Sequence, residues 1–130
     1  MNITEQKLKS FEHLPEGWHY GSEGPLLPTV VARGIEWNKF FLENGFTETD
    51  AFPISTDQVL VTAYCVDKNK DHHCLSVTST DEDTDTSFQH ELNVDEVACA
   101  DHVAYDEVKK QLEAIISQIF QRSNNLSKAI

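Results

Sequence analysis

The spacing of apolar residues changes period twice along the chain. Val30, Val31, Gly34, Ile35, Trp37, Phe41 and Leu42 recur at helical spacing and form one broad apolar stripe, with Gly34 leaving room for close approach of another element. Pro28, which fixes φ and lacks an amide hydrogen, suits the first turn of that helix. Asn44-Gly45-Phe46 suits its end, because Gly45 tolerates the left-handed conformation and Phe46 can fold back on Phe41 as in a Schellman cap. A shorter helix is expected over residues 4–13, capped by Thr4, with Ile3 stapled on Leu8 and with Leu8 and Phe11 on one face.

After the connector TETDAFPIS, which contains Pro53, the pattern becomes alternating. Val59, Val61, Ala63 and Cys65 fall on one side and Leu60, Thr62, Tyr64 and Val66 on the other, as in a central strand. DKNKD, residues 67–71, reads as a polar turn, residues 72–80 as a second strand, and DEDTD as the next turn. Phe88, His90, Leu92 and Val94 line one face of a third strand. Helical spacing returns over residues 103–122 in Val108, Leu112, Ile115, Ile116, Ile119 and Phe120. The expected fold is α+β: two N-terminal helices, an antiparallel sheet of about three strands, and a C-terminal helix packed on the sheet. One domain over residues 1–122 is expected, with a flexible tail at 123–130.

The loop LPEGWHYGSEGPLLPTVV, residues 14–31, admits two readings. Trp18, His19 and Tyr20 between glycines could stack a ligand ring, or Trp18 could plug the gap between the first two helices. The clasp is the expectation, since no convergent polar group accompanies the aromatics. LPEGW, the following Tyr20-Gly21, a proline at 25 or 28, the apolar helix and FPISTDQVLV together resemble a family of small, uncharacterised bacterial and phage proteins. Its pattern is a Leu-Pro-x-x-Trp opening, a proline-started helix and a Pro-x-x-Asp turn into a strand. The resemblance covers residues 14–66. It departs at Gln58-Val59, where the family has glycines, and it implies no activity and no functional residues.

Charge changes the picture more than any motif. Against 22 Asp and Glu stand 10 Lys and Arg, a formal net charge of -12 that repels nucleic acid phosphates and anionic lipid surfaces. Half of those carboxylates fall between Asp71 and Val108, a stretch without lysine or arginine: Asp71, Asp81, Glu82, Asp83, Asp85, Glu91, Asp95, Glu96, Asp101, Asp106 and Glu107. The expected function is a non-catalytic accessory or regulatory protein that binds a basic surface of another protein, including one that normally holds nucleic acid. The partner-binding residues are then Asp81, Glu82, Asp83, Asp85, Glu91, Asp95, Glu96, Asp101, Asp106 and Glu107 for steering, with Tyr105 and Trp18 as aromatic anchors. Its sharpest form is an inhibitor from a phage or mobile element, anti-CRISPR or otherwise anti-defence, that mimics nucleic acid charge.

Two alternatives come from other classes. An acidic secretion-chaperone-like homodimer that holds a client protein has the same size and class. A small metalloprotein or hydrolase would use Cys65, His73 and His90: Cys65 would oppose His73 across the turn, and His90 or Cys99 would approach from the next strand. His72 and Cys74 would project to the other face, and no second ligand pair at finger spacing completes a site, so no metal and no cofactor are expected. Cys99 with His102 is the nearest thing to a nucleophile and base, but the adjacent aspartates raise a thiol's pKa. No motif of named catalytic roles is present, and the expectation is a protein without enzymatic activity. Three cysteines without disulfide or CxxC spacing, a polar opening segment without a secretory pattern and no run of ~20 apolar residues point to a cytoplasmic protein.

Overall fold

The computed structural model describes residues 2–128, with side chains described to residue 120. Helix α1 (Ile3–Ser10) runs into a 3-10 turn (Phe11–His13), and after the loop comes α2 (Pro28–Glu43). Five strands follow: β1 (Glu48–Ser55), β2 (Gln58–Val66), β3 (His72–Ser79), β4 (Thr86–Leu92) and β5 (Asp95–Val103), then α3 (Tyr105–Lys128). The tail expected at residues 123–130 lies outside the described side chains.

The class is α+β, with five strands where about three were expected. They form one antiparallel meander in the order β1-β2-β3-β4-β5. ETDAFPIS, expected to belong to a connector, is β1, since Pro53 is tolerated on an edge strand and the register breaks between Pro53 and Ser55. Residues 95–103 form β5, where no element was expected before a helix start at 103. Its small and acidic side chains carry little periodicity, and pairing with β4 across two irregularities defines it instead.

Helices α2 and α3 lie on the same face. Val59, Val61, Ala63, Leu75, Val77 and Phe88 are buried beneath Val30, Val31, Trp37 and Phe41 of α2 and Val108, Leu112, Ile116 and Ile119 of α3. The Schellman cap of α2 forms as the sequence predicts: Phe46 N donates to Phe41 O at 3.1 Å, Gly45 N to Leu42 O at 3.3 Å, and the two phenyl rings meet edge to face at 5.7 Å. Helix α1 differs. Asn2, not Thr4, caps it, accepting from Glu5 N at 3.2 Å, while Thr4 donates to Thr49 O of β1. Ile3 is 81% exposed, so no staple onto Leu8 forms.

Gly34 is the closest approach in the core: a Cβ there would stand 2.7 Å from Leu8 Cδ2 and 3.3 Å from Val59 Cγ1. Both neighbours are fully buried and cannot swing away. Gly34→Ala is therefore expected to destabilise by about 1–2 kcal/mol, overpacking outweighing the gain in helix propensity, as read by the denaturation midpoint.

The loop before α2 is a clasp. Gly17 N donates to Glu23 O, His19 pairs with Ser22, and the Trp18 indole nitrogen donates to Gly24 O. Thr56, in the β1–β2 turn, is tied to it through Gly24 N, Leu27 N and the Glu23 carboxylate. Trp18 packs half-buried against the core. The sheet thus has two ends. The upper end carries this clasp, the β1–β2 and β3–β4 turns and the close of β5. The lower end carries the β2–β3 and β4–β5 turns and the start of β1.

Candidate functional site

At the lower end β2 stops at Val66, and Asp67 opens the polar turn. Its Oδ1 accepts from Asn69 N at 2.8 Å and Asp71 N at 3.1 Å, which shapes the turn. Its Oδ2 lies 2.9 Å from His73 Nε2, and His73 Nδ1 lies 3.0 Å from His90 Nε2, the two imidazoles stacked. All three residues are buried. A carboxylate can only accept, so His73 Nε2 carries a hydrogen and donates it to Asp67. The His73 hydrogen bond, backed by the turn amides, holds the Asp67 carboxyl below its ordinary value against the opposing effect of burial. Burial, then His73, pushes the His90 imidazole down.

Register places Cys65 opposite His73, as the sequence predicts, and His90 reaches His73. The third partner is Asp67, not a cysteine, and among the described residues no three His, Cys, Asp or Glu are arranged to hold a metal ion. Both nitrogens of His73 are engaged, so it has none left to take a proton from a ligand. Burial and then Asp67 push the Cys65 thiol up to about 11, which keeps it protonated at neutral pH. Burial also raises the Cys74 thiol, and Glu96 raises the exposed Cys99. His102 is bonded to Asp85 at 2.7 Å.

Beside this chain of buried groups lies a cleft of about 830 Å³ that wraps the end of β2, lined by Tyr64, Val66, Val94 and Phe120 with Glu48 and Glu91 on its sides. Val94 is unusual. Expected on the face of a strand, it instead makes the β4–β5 turn with Asn93 at φ +69°, a left-handed conformation that penalises a β-branched residue, and its side chain is 89% exposed.

The acidic block divides between the two ends. Asp81, Glu82, Asp83 and Asp85 occupy the β3–β4 turn at the upper end, where Asp106 and Glu107 begin α3 and Tyr105 N donates to Asp83 O at 2.7 Å. Asp101 lies near the close of β5 at the same end. Glu91, Asp95 and Glu96 sit toward the lower end, although Glu91 shares a shallow hollow on the outer face of the sheet with Asp101. From α2, Arg33 pairs with Asp83 and Thr29 donates to Asp81, and from β5 His102 pairs with Asp85. Arg33 also lies over the Tyr105 ring, 4.2 Å from its centroid, while Trp37 meets that ring from below at 5.0 Å. Tyr105 is half-buried at the head of a groove of about 970 Å³ between α2 and α3. Trp18 belongs to the clasp.

Sequence reasoning missed Asp67 and Arg33. An Asp directly after a strand and before Asn69 and Asp71 is an available turn signal for the first; Arg33, fifty residues from Asp83, gives none. No protein family, curated protein or solved structure matches the chain. No helix among the described residues is long and apolar enough to cross a membrane.

Proposed function

We propose that the protein is a non-catalytic accessory or regulatory protein that binds a basic surface of another protein through its upper end. The observation that supports this reading is the convergence of Asp81, Glu82, Asp83, Asp85, Asp101, Asp106 and Glu107 from a turn, a strand and a helix onto one end of the sheet. All but the partly buried Asp85 are exposed. Five carboxylates against three cations line the adjoining groove, so its field is negative even where Arg33, Lys39 and Lys109 contribute. Tyr105, fixed between Arg33 and Trp37, offers a rigid aromatic contact beside that charge. A partner whose basic surface otherwise holds nucleic acid fits best, and an inhibitor from a phage or mobile element is the sharpest form of the proposal.

A dimer made by pairing the free β5 edges is disfavoured physically. That strand is irregular at two places and carries Asp95, Glu96 and Asp101, features that blunt an edge against further pairing.

The test is capture of partners from the native cell at low and high salt, with the unaltered chain and with Asp81, Glu82, Asp83 and Asp85 all changed to lysine. Partner retention is expected to fall with salt and to weaken by about ten- to a hundredfold in the reversed variant. Equal retention by both chains would remove the basis of the proposal.

A further inference from the structure

We infer that the lower-end cleft is a second docking site, which takes an extended segment of another protein carrying an apolar side chain next to lysine or arginine. The inference goes beyond the upper-end reading and stands whether or not the upper carboxylates bind anything.

Backbone geometry supplies the first argument. Strand β1 begins at Glu48, opposite Tyr64, while β2 continues to Val66. Among the described residues no strand pairs with this edge of β2 beyond Tyr64, and an extended chain can add at Cys65 and Val66 by main-chain hydrogen bonds. The Asp67–His73–His90 chain pins the turn that follows, so the edge is held in place before any partner arrives.

Apolar exposure supplies the second. Val66 is 56% exposed and Tyr64 is 37% exposed, and both line the cleft with Val94 and Phe120. Neither turn geometry nor core burial accounts for valine at position 94, where glycine or asparagine would relax the backbone. Contact with an apolar side chain of a partner does account for it.

Charge decides the chemistry of that partner. Among the described residues, Glu48 and Glu91 line the cleft and no lysine or arginine does. Glu91 also lies directly opposite Glu96 across β4 and β5, a like-charge pair that a cation from outside relieves. A second copy of this chain, itself at -12, brings the wrong sign.

The experiment uses the full chain and short fluorescent peptides, one alternating lysine and valine, one lysine and serine, one glutamate and valine, with anisotropy as the readout. The lysine–valine peptide should bind more tightly than the lysine–serine peptide, and the glutamate–valine peptide should not bind. Glu48→Lys with Glu91→Lys should weaken binding about tenfold or more. Val94→Gly should raise the denaturation midpoint by relieving the turn, yet bind the lysine–valine peptide more weakly, which separates lost contact from lost fold. Reversal of the upper-end carboxylates should leave this binding unchanged. Absence of lysine–valine binding, equal binding of the lysine–serine peptide, or binding indifferent to Val94 and Glu91 would overturn the inference.

Discussion

An Asp67→Ala variant should lose about 3–5 kcal/mol of folding stability, because it strands three hydrogen-bond donors at about 1–3 kcal/mol each. The loss has two sources. His73 Nε2 is left buried with a hydrogen and no acceptor, and the amides of Asn69 and Asp71 lose the oxygen that shapes the β2–β3 turn. Guanidinium denaturation checks this, with Asp67→Asn as the companion variant: it keeps an acceptor and should fall between alanine and the native residue. The same cluster sets a dependence on pH. His90 is held below its ordinary value in the folded protein, so the unfolded chain takes up its proton first. Stability is therefore whole above the ordinary histidine pKa of 6.5 and declines as pH falls from there through the lowered folded value. The Asp67 carboxyl, also lowered, adds a second loss in the acid range as pH falls below 3.8 through its own folded value. His102 works in the opposite direction, since Asp85 raises it and its contribution fades as pH rises through the raised value. That imidazole is largely exposed, so solvent screening leaves the effect small. A His90→Gln variant should flatten the first decline; an unchanged slope between pH 7 and 5 would refute the assignment.

Local chemistry explains what was legible in the sequence. Helix α2 was readable because everything that specifies it is within a few residues: a proline at its start, an apolar stripe, and Asn44-Gly45-Phe46 at its end. Strands β2 and β3 were readable because both of them alternate over a full length. Strand β1 was hidden by Pro53, which argues against a strand except on an edge, and edge position is not a property of the segment. Strand β5 was hidden because Ala98, Cys99, Ala100 and Asp101 have no apolar period. The pairing of Cys65 with His73 followed from turn length alone, whereas Asp67–His73–His90 needed strand register and a turn conformation together. The acidic block was legible as composition, but its division between two ends was not, because β4 carries the chain from one end to the other.

Trp37→Ala should be comparably severe, about 3–5 kcal/mol, since it removes the largest fully buried side chain and leaves a cavity between helix and sheet. Trp37 touches Phe40 and Phe41 on its own helix and Tyr105 at the start of α3, so it joins the two helices over the sheet. Among the described residues its indole nitrogen has no hydrogen-bond partner. A phenylalanine at this position keeps part of the ring contact and removes a buried donor that is itself unfavourable, so Trp37→Phe should lose less than half of what the alanine variant loses. The pair of variants also bears on function. Tyr105 rests on the Trp37 ring beneath Arg33, and at the upper end it is the rigid aromatic beside the carboxylates. If that rigidity contributes to partner capture, Trp37→Phe, still folded, should weaken retention at high salt more than at low salt, because charge steers at low salt and contact dominates once charge is screened. Retention equal to that of the native chain at both salts would leave the carboxylates as the whole of the proposed upper-end interaction.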